Sequence, residues 1–288
     1  MFTIRNFIFC IFVLVSGCAT AAEIVVRHNY VDPSSSRDQW PIQLLDMAFS
    51  YQTENTYRTE SIPEPVNQER LKTMLNEGSL SVMWIGTSAE IERQFHPIRI
   101  PVFKGLLGHR IFIIRKGDQA RFSQVNSFSD LLKLKAGQGR FWSDTPILES
   151  AGIPVVKPVK YPNLFHMLDG DRFDYFPRAV HEPWAEVQNS PLNITVEKEL
   201  MLVYPMPLYM FTSKNNTALA DVIQAGLRRG IDDGTFDRLF LANPAIREAL
   251  ELTNMAERKI FRINNPGLSA ATPLDDKSLW FDISSSGL

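Results

Sequence analysis

The chain has 288 residues, 44% of them hydrophobic and 22% charged, with a net charge of -2. That is ordinary globular composition, and the length allows two lobes, each with its own core. No Lys/Arg run or basic stripe occurs, which argues against nucleic acid as a partner.

Residues 1–21 have the pattern of a signal peptide. Arg5 supplies a positive n-region, Phe7 to Val15 an apolar run, and Ala19-Thr20-Ala21 an A-x-A cleavage site that leaves Ala22 as the new terminus. Val15-Ser16-Gly17-Cys18 is a competing lipobox-like reading, with Cys18 lipidated. A strand pattern starting at Glu23 would leave such an anchor almost no tether, which favours simple cleavage and a periplasmic location. Both cysteines, Cys10 and Cys18, fall in this segment, so no disulfide is expected beyond it. No later apolar stretch approaches membrane-spanning length, and the exported chain is expected to be soluble.

In chain order, Glu23 to Arg27 reads as a buried strand, followed by the turn-rich loop Asp32 to Asp38. Asp38 is a candidate cap for a helix with Ile42, Leu45, Met47, Ala48 and Phe49 on its apolar face. A strand over 56–62, a helix over 67–76 and a strand over 80–85 complete a pattern that predicts a parallel sheet covered by helices. His96 to Arg115 is extended but interrupted by Lys104-Gly-Leu-Leu-Gly108, which suits a crossing between lobes. A second β/α unit follows. It has a helix after Ser127 or Ser129, Gly137-Gln-Gly139 ending it, a short strand Arg140-Phe-Trp142, and a helix opened by Ser143-Asp144-Thr145-Pro146. Strands are expected at 155–160 and 173–176, with Pro177 terminating the latter. The stretches 196–204 and 208–212 flank Pro205-Met-Pro207, a second crossing, and an amphipathic helix covers 218–233. The tail from Asn264 holds Leu279-Trp280-Phe281, which is expected to pack back on the body.

This order resembles the type II periplasmic solute-binding proteins, nearest the amino-acid-binding-like solute-binding family 3. The motifs that carry it are Leu75-Asn-Glu-Gly-Ser-Leu-Ser-Val-Met83, Val125-Asn-Ser-Phe-Ser-Asp-Leu131, Asp169-Gly-Asp-Arg-Phe-Asp174 and Leu227-Arg-Arg-Gly-Ile-Asp-Asp-Gly-Thr-Phe236. The resemblance implies an α/β Venus-flytrap fold of two lobes, each a mostly parallel sheet with flanking helices. Lobe 1 would span 22–105 and 205–263, lobe 2 106–204, and the tail 264–288. It also implies a monomer that captures a small-molecule ligand between the lobes, for an inner-membrane ABC transporter or a sensor. In the family an acid five positions after the "D" of the third motif holds the ligand's ammonium. Here that place is Ala179 with Arg178 beside it, which points to an anionic ligand instead.

Arg178 offers a planar fork suited to a carboxylate or phosphate, or equally a surface cover for a strand end. Arg93 has the same two readings, near the place of the family's carboxylate-binding arginine. Tyr30, Trp84 and Trp142 are candidates to enclose the rest of a ligand, against simple core packing. Thr87 and Ser88 either donate to ligand or cap a helix, and Asp144 and Thr145 either approach it from a helix start or fill that start themselves. His181-Glu182 is the one His/acid pair that suggests catalysis. No second histidine stands at helical spacing from it, and no nucleophile motif, metal set or cofactor loop is present, so neither an enzyme nor a metal or cofactor is expected.

Overall fold

The structure, a computed structural model, describes residues 22–282. The signal peptide, the A-x-A site and Cys18 lie outside the described residues.

The first half runs β1 (Glu23–His28), α1 (Ser36–Ser50), β2 (Thr56–Ser61), α2 (Gln68–Asn76), β3 (Met83–Gly86), α3 (Ala89–Gln94), β4 (His96–Ile98), β5 (His109–Arg115), α4 (Gln119–Phe122) and α5 (Phe128–Leu131). The second half runs β6 (Ala136–Gly137), α6 (Thr145–Ser150), β7 (Val155–Val156), α7 (Tyr161–Asp169), β8 (Phe176–Ala179), α8 (Pro183–Gln188), β9 (Ile194–Val196), β10 (Leu200–Val203), β11 (Leu208–Thr212), α9 (Thr217–Asp232), α10 (Thr235–Ala242), α11 (Pro244–Thr253) and β12 (Lys259–Arg262).

Local chemistry explains most boundaries. α1 begins before Asp38, because the Ser35 side chain accepts from the Asp38 amide and leaves Asp38 in the first turn, where a negative charge suits the helix dipole. Asn67 caps α2 in the same way, and Ser127 forms a capping box with Asp130 on α5. Trp40, Leu44, Leu45 and Ala48 give α1 a fully buried face against α9, α10 and α11.

Among the described residues there are four sheets, and only the five-stranded one, β12-β10-β5-β8 with β9 on β5, mixes parallel and antiparallel pairs. β1 pairs β2 in parallel, as β10 pairs β12 and β6 pairs β7. β11 runs antiparallel between β3 and β4, and β5 runs antiparallel to β8, β9 and β10. The sequence pattern placed β3 in the ladder of β1 and β2. It instead aligns Met83 and Ile85 with Phe211 and Tyr209 of β11, and meets β1 outside any ladder, through the Ser81 and Val82 amides on the Arg27 carbonyl and the Trp84 ring beside His28. The aromatic face of β11 supplies the burial that β3 needs, across a separation that local periodicity does not reveal.

Three further expectations are corrected. Pro177 does not end a strand. It lies inside β8, at the edge of the β5 sheet, where a missing amide donor leaves no ladder partner unpaired. The short strand is Ala136–Gly137 rather than 140–142, so Gly137 pairs with Val156 instead of closing a helix. The helices α8 and α11, which start with Pro183 and Pro244 at their first position, were not anticipated.

The chain leaves β4 for the β5 sheet through residues 99–108 and returns from β10 to β11 through residues 204–207. The two crossings touch. The Tyr204 amide donates to the Gly108 carbonyl at 3.0 Å, and a Cβ on Gly108 would lie 1.9 Å from the Tyr204 carbonyl oxygen. β12 returns to the second sheet beside β10, although the sequence assigned 205–263 to lobe 1. One apolar cluster joins α1, α9, α10 and α11 to Ile111, Val180, Met201 and Val203 of the second sheet, so the lobes meet in a shared core.

Candidate functional site

The space between the lobes is centred on buried charge. β8 sets Arg178 opposite Ile111 of β5, and α8 starts so soon afterwards that Glu182 and Glu186 return to the same guanidinium one and two turns on. Arg178 Nη2 meets Glu182 Oε1 at 2.9 Å, and Arg178 Nε donates to Glu186 Oε2 at 2.8 Å while Nη2 holds the other Glu186 oxygen. Its guanidinium carbon sits 5.0, 5.1 and 5.5 Å from the ring centres of Phe176, Trp142 and Tyr161. Arg110 of β5 pairs with Asp144 at 2.9 Å and Glu182 at 3.5 Å, and Tyr204 OH donates to Asp144 at 3.1 Å. From the opposite lobe, Arg37 reaches Glu186 at 3.1 Å while holding Asp38 at 2.9 Å. The Tyr161 hydroxyl also donates to Glu186, at 2.7 Å.

For Glu182 and the three arginines burial opposes the charge, and the pairing overcomes it. Glu182 is desolvated, yet Arg178, Arg110, Arg37 and the Ala179 amide lower its pKa. Arg178 and Arg37 are likewise held charged, against burial, by their carboxylates. Burial, with Arg37, Arg110 and Arg178 nearby, keeps His181 well below the ordinary 6.5 and therefore neutral. His181 stacks on Phe103 at 4.0 Å, and its Nδ1 has no hydrogen-bond partner, so it forms no dyad with Glu182. Three guanidiniums (Arg37, Arg110, Arg178) face four carboxylates (Asp38, Asp144, Glu182, Glu186), which leaves the centre of the cleft one negative charge in excess.

A cavity of about 590 Å³ opens at one end of this network. Ser88 at the N-cap of α3 and Arg93 within it line it from the first lobe, with Lys72 of α2, and Arg140, Trp142 and Ser143 line it from the second. Lys72 is paired with Glu69 at 2.7 Å, whereas Arg93 and Arg140 have no ion-pair partner among the described residues. Ser143 Oγ donates to Gln68 Oε1 at 3.1 Å and bridges the lobes beside the cavity. A second cavity of about 350 Å³ lies where Asp32 and Arg37 face His181, Trp184 and Glu186.

The residues named from sequence therefore separate into groups. Ser88, Arg93 and Trp142 meet at the larger cavity, with Ser88 also capping α3 through the Ile91 amide. Asp144, Arg178 and Glu182 form the buried network. Both faces of the Arg178 fork are held by carboxylates, so its contacts are not those of a free anion clamp. Asp144 makes no cap to α6. Thr145 is buried and donates to the Gly139 carbonyl, Thr87 donates to Glu92, and Trp84 packs near His28 at 5.2 Å. Tyr30 is 36% exposed and shares neither cavity. Arg37, Arg110, Arg140 and Glu186 were not singled out from sequence. Arg110 carried a signal, as a charge heading the apolar run of β5. Among the described residues no group of His, Cys, Asp or Glu is arranged to hold a metal, and no helix is long and apolar enough to cross a membrane.

Four sheets divided between two lobes, two crossings between the lobes and a charged cleft at their junction give the two-lobed fold of the type II periplasmic binding proteins. No protein-family model matches the sequence, and no curated protein matches it. Solved structures do match. An ancestral arginine-binding protein bound to arginine is 18% identical with a TM-score of 0.56, over 77% of this chain and 98% of that one. The probable amino-acid ABC transporter extracellular-binding protein of Bacillus subtilis is 14% identical with a TM-score of 0.59, over 78% and 99%. A putative L-cystine ABC transporter protein from Listeria monocytogenes is 13% identical with a TM-score of 0.53, over 83% and 99%. At these identities the likeness is one of fold.

Proposed function

We propose that this chain is an exported solute-binding protein whose lobes close over a small solute bearing a carboxylate, an amino acid or a close relative. The observation that carries the reading is the pair Arg93 and Arg140. They come from opposite lobes, line one cavity and have no carboxylate partner among the described residues, Arg140 Nε donating only to the Lys157 carbonyl at 3.3 Å. A carboxylate between them would receive two charge-assisted clamps, one per lobe, so binding would favour closure. Ser88 and Ser143 add hydroxyl groups and Trp142 a flat apolar face, a common mixture in small-molecule sites. The cavity volume is also in the range of such sites. The amino-acid binders of the same fold support the solute class, and delivery to a membrane transporter belongs to this reading. The anion-binding role passes from Arg178 to Arg140, because the centre of the cleft already carries excess negative charge.

A thermal-shift screen of amino acids, organic acids and short peptides tests it, since a ligand bound only by the folded state raises the melting temperature. A hit that binds Arg140→Ala and Arg93→Ala as tightly as the unaltered chain would sink the two-lobe clamp.

A second reading has its own observation. The protein's own side chains fill the middle of the cleft, and Arg37 spans it, as expected of a sensor that stays closed and engages a membrane partner without solute. No hit in the screen, with Arg37→Ala still producing a more open molecule by small-angle scattering, would favour it.

A further inference from the structure

The segment after β12 stays on the body and visits both crossings. The Ile263 amide donates to the Val203 carbonyl at 3.0 Å, continuing the ladder along β10. Asn265 Nδ2 then donates to the Pro205 carbonyl at 2.8 Å, on the return crossing. The Gly267 carbonyl accepts from the Ala89 amide at 2.7 Å, at the first residue of α3. Between those two bonds, residues 265–267 line the 590 Å³ cavity that holds Arg93 and Arg140. Farther on, Asp276 pairs with Arg228 of α9 at 3.0 Å, and Leu279 is buried in the shared core. The Trp280 ring covers Gly105 so closely that a Cβ there would fall 2.5 Å from its Cε3. The Phe281 amide donates to the Lys104 carbonyl at 2.8 Å, and Lys104 Nζ donates to the Ser278 carbonyl at 3.1 Å.

We propose that residues 264–281 form a third connection between the lobes, which limits how far the cleft opens and supplies one wall of its ligand cavity. Hinged proteins open by turning a few residues at their crossings. Gly105, at φ +83°, is such a residue on the first crossing, and Trp280 lies on it. Pro205, on the second crossing, is bonded to Asn265. The same segment is tied to β10 of one sheet and α3 of the other lobe, so opening must break the Asn265 or Gly267 bonds or release Trp280. The wall formed by residues 265–267 rests on the cleft reading above, whereas the tether is measurable without any ligand.

The test is a distance measurement between spin labels in the ligand-free full chain. Glu54→Cys and Lys133→Cys place labels on exposed residues of the two lobes, with Cys10→Ser and Cys18→Ser removing the natural thiols. Asn265→Ala and Trp280→Ala are each expected to shift or broaden the distribution toward longer distances. Should Trp280→Ala fail to fold, Asn265→Ala decides, because it removes two side-chain hydrogen bonds, to the Pro205 carbonyl and from the Gly267 amide, and leaves the core intact. A folded Asn265→Ala whose distribution overlays that of the parent overturns the proposal. Failure to find an amino-acid ligand would leave this result standing, so the two readings fail separately.

Discussion

Arg37, in the first turn of α1, crosses the cleft to Glu186 on α8 at 3.1 Å and meets a carboxylate already held by Arg178 and Tyr161. Glu186 is thus the place where a lobe 1 cation enters a network otherwise built within lobe 2. The link is partly solvated on the Arg37 side, whose side chain is 29% exposed, and buried on the other.

Arg37→Ala should lower the unfolding free energy by about 1–2 kcal/mol, less than a fully buried pair because Glu186 keeps two partners and Arg37 is partly hydrated. Urea unfolding measures it, and a cleft unaffected by Arg37 would show an unchanged midpoint.

Arg178→Ala should be much more damaging, about 3–5 kcal/mol, since it takes the 2.9 Å partner from buried Glu182 and the two-point partner from buried Glu186 at once. Arg178→Lys should recover little of this loss, because an ammonium cannot reproduce the planar two-point contact with Glu186 or the stacking on Trp142. Comparing the two variants by calorimetry separates fork geometry from charge alone.

Gly108→Ala should destabilise by about 1–3 kcal/mol or prevent folding, as an added methyl group meets the Tyr204 carbonyl where the crossings touch. Tolerance of alanine at the parent melting temperature would show that the crossings are free to separate there.

The neutral His181 makes stability depend on pH. Its folded pKa lies well below the unfolded 6.5, so the unfolded chain binds the extra proton as pH falls. The stabilisation is present above about pH 6.5 and is lost on acidification toward the folded pKa. His109, held at about 4 by burial despite its bond to the Gly105 carbonyl, acts with the same sign between 6.5 and about 4. Melting temperature should therefore fall between pH 7 and 5, and His181→Gln should flatten that fall. An equal slope in the variant would assign the effect elsewhere.

The sequence by itself determined most of the order of elements, though not α8, α11 or the strand at 136–137, and the stretches where the chain crosses between sheets, because these depend on local properties. Apolar spacing marks β1, β2 and α9, Ser127 or Ser129 marks a helix start, and glycine and proline mark 105–108 and 205–207. It also brought forward Ser88, Arg93 and Trp142, which meet at one cavity, and Arg178 as a residue of the interlobe space. The tertiary structure alone decided what those residues face. Whether Arg178 is free or neutralised depends on Glu186, eight residues on in an unforeseen helix, and on Arg37, far earlier in the chain and in the other lobe. β3 finds β11 and β12 finds β10 by the same kind of distant matching of apolar faces. Charge pairing and strand partnership are properties of neighbours in space, and a one-dimensional pattern records only neighbours along the chain.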